Sequence, residues 1–200
     1  MNIVDNAKVF GDATVYGDAT VYGDAQVFDK AQVLGDAKVY GDATVYGYAK
    51  VLGDAQVFGN TDVYGNAEVF GYAQVFGYAE VYGDAWVYGN AEVSGNAEVS
   101  GYARVYDYAK VCATLTQGFI CGHMVWDREL PQVKRSDGYV FTYCRCSDRV
   151  FRVSAGCRYF TLEEARNHWT STRGGTKLGE ETLSILDFLE SQVSKYYTED

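Results

Sequence analysis

GDATVYGDATVYGDAQVF, residues 11–28, is three copies of one six-residue unit. The unit runs without insertion from Asp5 to Cys112, as 18 hexads of the form G-[DNY]-A-x-V-[YF]. The fifth position is Val in all 18, from Val9 to Val111, and the third is Ala in 17, Thr61 being the exception. Gly holds the first position in 15, with Asp5, Asp29 and Asp107 in the other places. Ala and Val two residues apart lie on one side of a strand, and the residue between them lies on the other. The remaining aromatic-Gly-Asp triplet has the composition of a corner. Gly reaches positive φ freely, and Asp or Asn tolerates it and hydrogen-bonds locally. Each hexad therefore predicts a short strand and a corner, repeated along one axis.

Over residues 5–112 these hexads resemble those of the left-handed β-helix, the hexapeptide-repeat superfamily. The resemblance implies an all-β solenoid in which three hexads close one triangular coil. Six coils of 18 residues follow, stacked into a prism roughly 25–30 Å long at about 4.8 Å per strand. A period of six excludes the three-residue period of collagen. Many members of the superfamily transfer acyl groups from a thioester carrier, with a His base beside a loop that leaves the coils. The hexads contain no His and no insertion, so the resemblance implies architecture, and an acyl-CoA-dependent acyltransferase remains only the alternative.

If a coil takes 18 residues, side chains 18 apart stack. The sixth position is aromatic in 13 hexads and builds three columns, among them Phe70, Tyr88 and Tyr106. Trp86 and Tyr102 lie close to that column in sequence and extend a candidate aromatic surface for a partner or a second subunit. Acidic residues form columns too: Asp18, Asp36 and Asp54 at the corners, and Asp62, Glu80 and Glu98 at the free fourth position. Aspartate after Gly is ordinary corner chemistry. The second column has no such explanation, and like charges on adjacent strands repel. A solvated acidic face or recognition of a basic protein surface would account for it.

The whole chain has 200 residues and a formal net charge of −10. That charge disfavours direct binding of nucleic acid or anionic lipid by the solenoid. No apolar stretch approaches the length of a membrane span, and MNIVDNAKVF lacks the regions of a signal peptide. Five Cys without a signal peptide point to reduced thiols and a cytoplasmic location, with no membrane contact.

After Cys112 the hexads stop, and residues 113–200 are expected to form a small α+β capping or interaction domain. The stretch 113–126 is strand-like and placed to close the prism end. A hairpin is predicted from Tyr139 to Arg145 and from Val150 to Val153. Thr161 and Glu164 form a capping box that opens one helix, running through about His168-Trp169, and a second is expected from Glu180 to Tyr196, with Leu183, Leu186, Leu189 and Val193 on one face. Cys121, His123, Cys144, Cys146, Cys157 and His168 are conceivable zinc ligands, but C-x-H and C-x-C are not zinc-knuckle spacings. Ordinary buried thiols are the simpler reading, with no metal and no cofactor. Cys157 with His168 as base is a conceivable nucleophile. Arg145, Arg149, Arg152 and Arg158 form a candidate basic patch, which matches no known nucleic-acid reader motif.

The stretch VSAGCRYFTLEEARNHW, residues 153–169, resembles a segment of uncharacterised phage and prophage proteins with similar hexad arrays. That resemblance implies a mobile-element accessory protein, in the host cytoplasm, and supplies no activity. The reading that joins these features is a non-catalytic acidic rod. It engages a protein partner, as a counter-defence inhibitor would in the basic groove of a nucleic-acid-handling host enzyme. The rod is expected to be a dimer or trimer, and a self-assembling phage component is a further alternative.

Overall fold

The computed structural model describes residues 2–116, 118–122, 124–126, 132–146, 148–156 and 158–196. The hexads wind into a β-solenoid with three parallel sheets, one strand per hexad. The chain visits the faces in turn. The first face includes Thr20–Val21, Lys38–Gly41, Gln56–Gly59, Gln74–Val75 and Glu92–Val93. The second runs through Lys8–Val9, Gln26–Val27, Thr44–Val45, Asp62–Val63, Glu80–Val81 and Glu98–Val99. The third includes Thr14–Gly17, Gln32–Gly35, Lys50–Gly53, Glu68–Val69, Trp86–Val87 and Arg104–Val105. Residues 18 apart pair directly, as Gln26 does with Thr44 and Asp62 with Glu80.

The inner positions account for the regularity. From Ala19 to Val111 every inward Ala and Val is buried, and together they form one continuous core. Thr61, the single polar residue among them, satisfies its hydroxyl by donating to the Phe58 carbonyl. The corners explain the glycines. Gly59 sits at φ +81°, and a Cβ there would come within 3.0 Å of both Gly77 N and Gly77 O in the next coil. Where Asp29 takes the glycine position its φ is still 60°, and its carboxylate accepts the Gly47 amide at 3.3 Å.

The solenoid runs past the last hexad. Phe119–Ile120 and Val125–Trp126 add strands to the third and first faces. Arg104 pairs with Phe119 and Lys110 with Val125, so this circuit takes 15 residues instead of 18. Leu115, Ile120 and Met124 are fully buried there, larger side chains filling the interior where the coils end.

A four-stranded antiparallel sheet follows, with strands Val133–Lys134, Val140–Arg145, Phe151–Ala155 and Arg158–Thr161 in chain order. Its two faces serve different cores, by simple strand alternation. Cys144 and Cys146 pack with the solenoid core. Phe141, Tyr143, Val153 and Ala155 pack against helices α1 (Leu162–Arg173) and α2 (Lys177–Tyr196). The expected hairpin is present, and the strands Val133–Lys134 and Arg158–Thr161 were not foreseen. Thr161 caps α1 as expected: its hydroxyl accepts the Glu164 amide at 3.3 Å and its amide donates to the Glu164 carboxylate at 2.8 Å. Helix α2 begins at Lys177, three residues before the expected Glu180, because the Thr176 hydroxyl accepts the Gly179 amide at 3.1 Å. Leu186 and Leu189 are buried, with Leu183 and Val193 beside them. Among the described residues no helix is long and apolar enough to cross a membrane.

Ala55 is completely enclosed, so Ala55→Leu should overpack the coil and destabilise it by about 1–3 kcal/mol. Thermal unfolding would show a lower, broadened transition; an unchanged midpoint would mean the interior has slack that this packing lacks.

Candidate functional site

The second face differs from the other two in how it treats charge. On the third face Glu68 is bridged by Lys50 Nζ at 2.8 Å, and on the first Glu92 is bridged by Lys110 Nζ at 2.8 Å. On the second face Thr44, Asp62, Glu80 and Glu98 pair strand to strand. The three carboxylates there have no cationic partner among the described residues. Strand spacing sets their backbones about 5 Å apart, and a like-charged pair at that distance in watery surroundings costs about 1 kcal/mol. The backbone ladder fixes where these side chains start, so relief can come only from their own torsions.

Hydroxyls, not cations, answer these carboxylates. Tyr64 Oη donates to Glu80 Oε2 at 3.1 Å and Tyr82 Oη to Glu98 Oε2 at 3.4 Å. Both tyrosines belong to the stack Phe10–Phe28–Tyr46–Tyr64–Tyr82, whose ring centroids lie 4.9 to 5.1 Å apart. Burial and the Glu80 charge push the Tyr64 phenol well above its ordinary range. Asp62 is pushed up by partial burial first and then by Glu80, against a lowering hydrogen bond from Thr44. The second face is therefore a stiff strip of carboxylate edged by phenol, poised to gain from an approaching cation.

Asp18, Asp36 and Asp54 also form a column, but on the exposed edge between the third and first faces. In a three-sided coil that edge lies opposite the second face. One flat partner surface can reach one acidic column or the other, not both.

Four of the five aromatic candidates come together on the third face, and Tyr102 does not join them. Phe70, Tyr88 and Tyr106 stack at 4.9 and 5.1 Å, and Trp86 meets Phe70 edge-on at 6.1 Å. Arg104 was not singled out in the sequence, yet its guanidinium lies 3.7 Å over the Trp86 ring. The same offset of 18 residues would have found it. Tyr102 projects from the corner before the Arg104 strand, 73% exposed. The other exposed tyrosines are spread over all three edges: Tyr78 on one, Tyr48 with Tyr102 on the next, and Tyr16, Tyr72 and Tyr108 on or beside the last.

The four arginines of the candidate basic patch separate. Arg152 is clamped by Asp148 at 2.8 Å, which holds that carboxyl down to about 2. Arg149 stands in the adjoining turn with φ 66°. Arg145 lies across from Phe151 at one end of the sheet, and Arg158 across from Ala155 at the other.

Cys121, Cys144 and Cys146 are buried against the solenoid end, where Cys146 Sγ meets Tyr159 Oη at 3.1 Å. Burial is the main cause that raises the Cys121 thiol. His168 packs on Phe160 and Trp169, on the helix side of the sheet. Sheet alternation thus parts these thiols from His168. His123 and Cys157 lie outside the described residues, so the proposed pairing of Cys157 with His168 does too. Among the described residues, no group of three or more His, Cys, Asp or Glu side chains is arranged to hold a metal ion.

Fold and surface together define a hexapeptide-repeat-like β-helix segment followed by an antiparallel sheet and two helices. Within it, residues 7–23 and 13–29 match the family model of the YdcK β-solenoid repeat. No curated protein matches the chain.

The Asp62 shift has a definite sign. A carboxyl raised in the folded state is harder to ionise there than in the unfolded chain, so its charge opposes folding once the pH exceeds the ordinary carboxylate value. Asp62→Asn should raise the melting temperature at pH 7. The gain should disappear as the pH falls through the carboxylate range, where the native carboxyl is also neutral. A gain that persists unchanged at acid pH would refute the electrostatic cause.

Proposed function

We propose that the protein is a non-catalytic binding protein whose second face docks on a basic surface of a partner protein. The observation that supports this is the column of Asp62, Glu80 and Glu98, uncompensated where Glu68 and Glu92 on the other faces each hold a lysine. A rigid row of carboxylates at fixed spacing suits a basic groove that otherwise holds nucleic acid. Complementary charge of this kind speeds encounter and selects partners more than it adds affinity. The phage-like stretch at residues 153–169 makes a counter-defence inhibitor of a host nucleic-acid enzyme the specific form of this reading. Hydrogen-bonded tyrosines at the margin of the row would let it meet arginines without first reordering.

Bacterial lysate passed over the immobilised chain at low salt should yield a nucleic-acid-binding protein. Glu80→Lys/Glu98→Lys should lose it, and raised salt should release it. With the captured protein purified, the native chain should displace its nucleic acid in a gel-shift assay and the double variant should not. Equal capture by both chains, or no displacement, would show that the column is merely solvated.

A further inference from the structure

The C-terminal unit holds an open cavity of about 640 Å³ whose wall includes Arg135, Tyr139, Arg158, His168, Arg173 and Lys177. These residues come from four segments: the turn before the long hairpin, the first residue of the last strand, the end of α1 and the start of α2. Arg135 is buried and its charge is already answered. Asp137 binds it through both oxygens, at 2.9 and 2.7 Å, and Thr182 accepts at 2.7 Å. That ion pair, with Arg173 contributing, holds the Asp137 carboxyl at about 2. The neighbouring carboxylate of Glu181 is taken by Ser136, whose amide and hydroxyl donate at 2.7 and 2.6 Å.

Arg158, Arg173 and Lys177 remain. None forms an ion pair with a carboxylate among the described residues, Arg173 acting on Asp137 only at longer range while Arg135 binds it directly, although the chain as a whole has ten more acidic than basic side chains. The opening turn of α2 also forms part of the wall, through Thr176, Lys177 and Leu178. Thr176 already accepts the Gly179 and Glu180 amides of that turn, so the contribution of the turn to the wall is chiefly the positive end of the helix dipole.

We propose that this cavity is a binding site for a phosphate group, in the form of a small phosphate monoester. With Arg135, Arg158, Arg173 and Lys177 set against the single carboxylate of Asp137, the wall keeps an excess of positive charge that calls for a ligand with close to two negative charges, which a phosphate monoester has near pH 7. Arg158 and Arg173 offer the planar fork that binds phosphate oxygens in pairs, and Lys177 adds a point charge. The cavity falls within the range of roughly 300–1,000 Å³ usual for small-molecule sites, much larger than one phosphate group. Tyr139 and His168 supply ring surface for an organic body. The wall includes no residue of the acidic second face, and the site stands independently of the function proposed for that face.

Titration calorimetry on the full chain, with adenosine monophosphate and inorganic phosphate as probes, tests this. Arg158→Gln/Arg173→Gln should weaken binding by at least about tenfold, since each guanidinium removed takes charge-assisted bonds with it. Lys177→Gln should weaken it less, and Arg149→Gln, in the distant turn, should leave it unchanged. Both arginines of the pair are exposed, and an unaltered melting curve would confirm that the double variant folds. Tighter binding of the nucleotide than of inorganic phosphate supports the ester, and equal binding supports the site with the free anion as its ligand. No binding of either probe at about 5 mM, or binding that the double variant leaves intact, overturns the proposal.

Discussion

The structure depends on the backbone ladder between coils. Lys8 N bonds to Ala25 O, Gln26 N to Ala43 O, Thr44 N to Thr61 O, Asp62 N to Ala79 O and Glu80 N to Ala97 O, all between 2.8 and 3.1 Å. A slip of one residue would turn every Val outward, so the apolar interior and the ladder enforce a single register. The outer side chains have no say in this arrangement. They inherit its spacing, and so aromatic rings stack and carboxylates of like charge are held side by side. The molecule can maintain an electrostatically unfavourable row because the cost of the row is small beside the cost of breaking the ladder that imposes it.

Much of this was legible in the hexads, because one period determines both packing and surface. The columns Phe70–Tyr88–Tyr106 and Asp62–Glu80–Glu98 follow from counting by eighteen. The hydrogen bonds from Tyr64 to Glu80 and from Tyr82 to Glu98 span 16 residues, since a corner aromatic leans back to the strand of the next coil. Strand register alone does not show that lean. Nor does it show that the two acidic columns lie on opposite sides of the rod, which requires following the order of the faces.

The C-terminal unit was less legible, and the reason is topological. Arg145, Arg149, Arg152 and Arg158 are close in sequence, but two chain reversals and the alternation of the strands scatter them. Arg135 and Arg158 are far in sequence from each other and from the pair Arg173 and Lys177, yet four chain segments bring them to one cavity. The cysteines show the same effect at shorter range: Cys144 and Cys146 share a strand face with the solenoid end, while His168 lies across the sheet. The start of α1 was read well because the Thr161 side chain sets it, whereas the helix runs past the expected His168-Trp169 to Arg173 and stops at Gly174. The start of α2 was missed by three residues because Thr176, its cap, follows two glycines that read as loop.

The three-to-one relation between hexads and coils also governs how such a chain can change in length. Gain or loss of a single hexad preserves the interior and the ladder, yet it rotates everything downstream by a third of a turn. A column that had pointed one way would then continue around the corner, and the cap would present another side. Only changes in multiples of 18 residues lengthen the rod while keeping each surface aligned. Folding therefore tolerates growth in sixes, whereas a binding face tolerates it only in eighteens, so recognition places a stricter demand on the genetic history of this repeat than stability does.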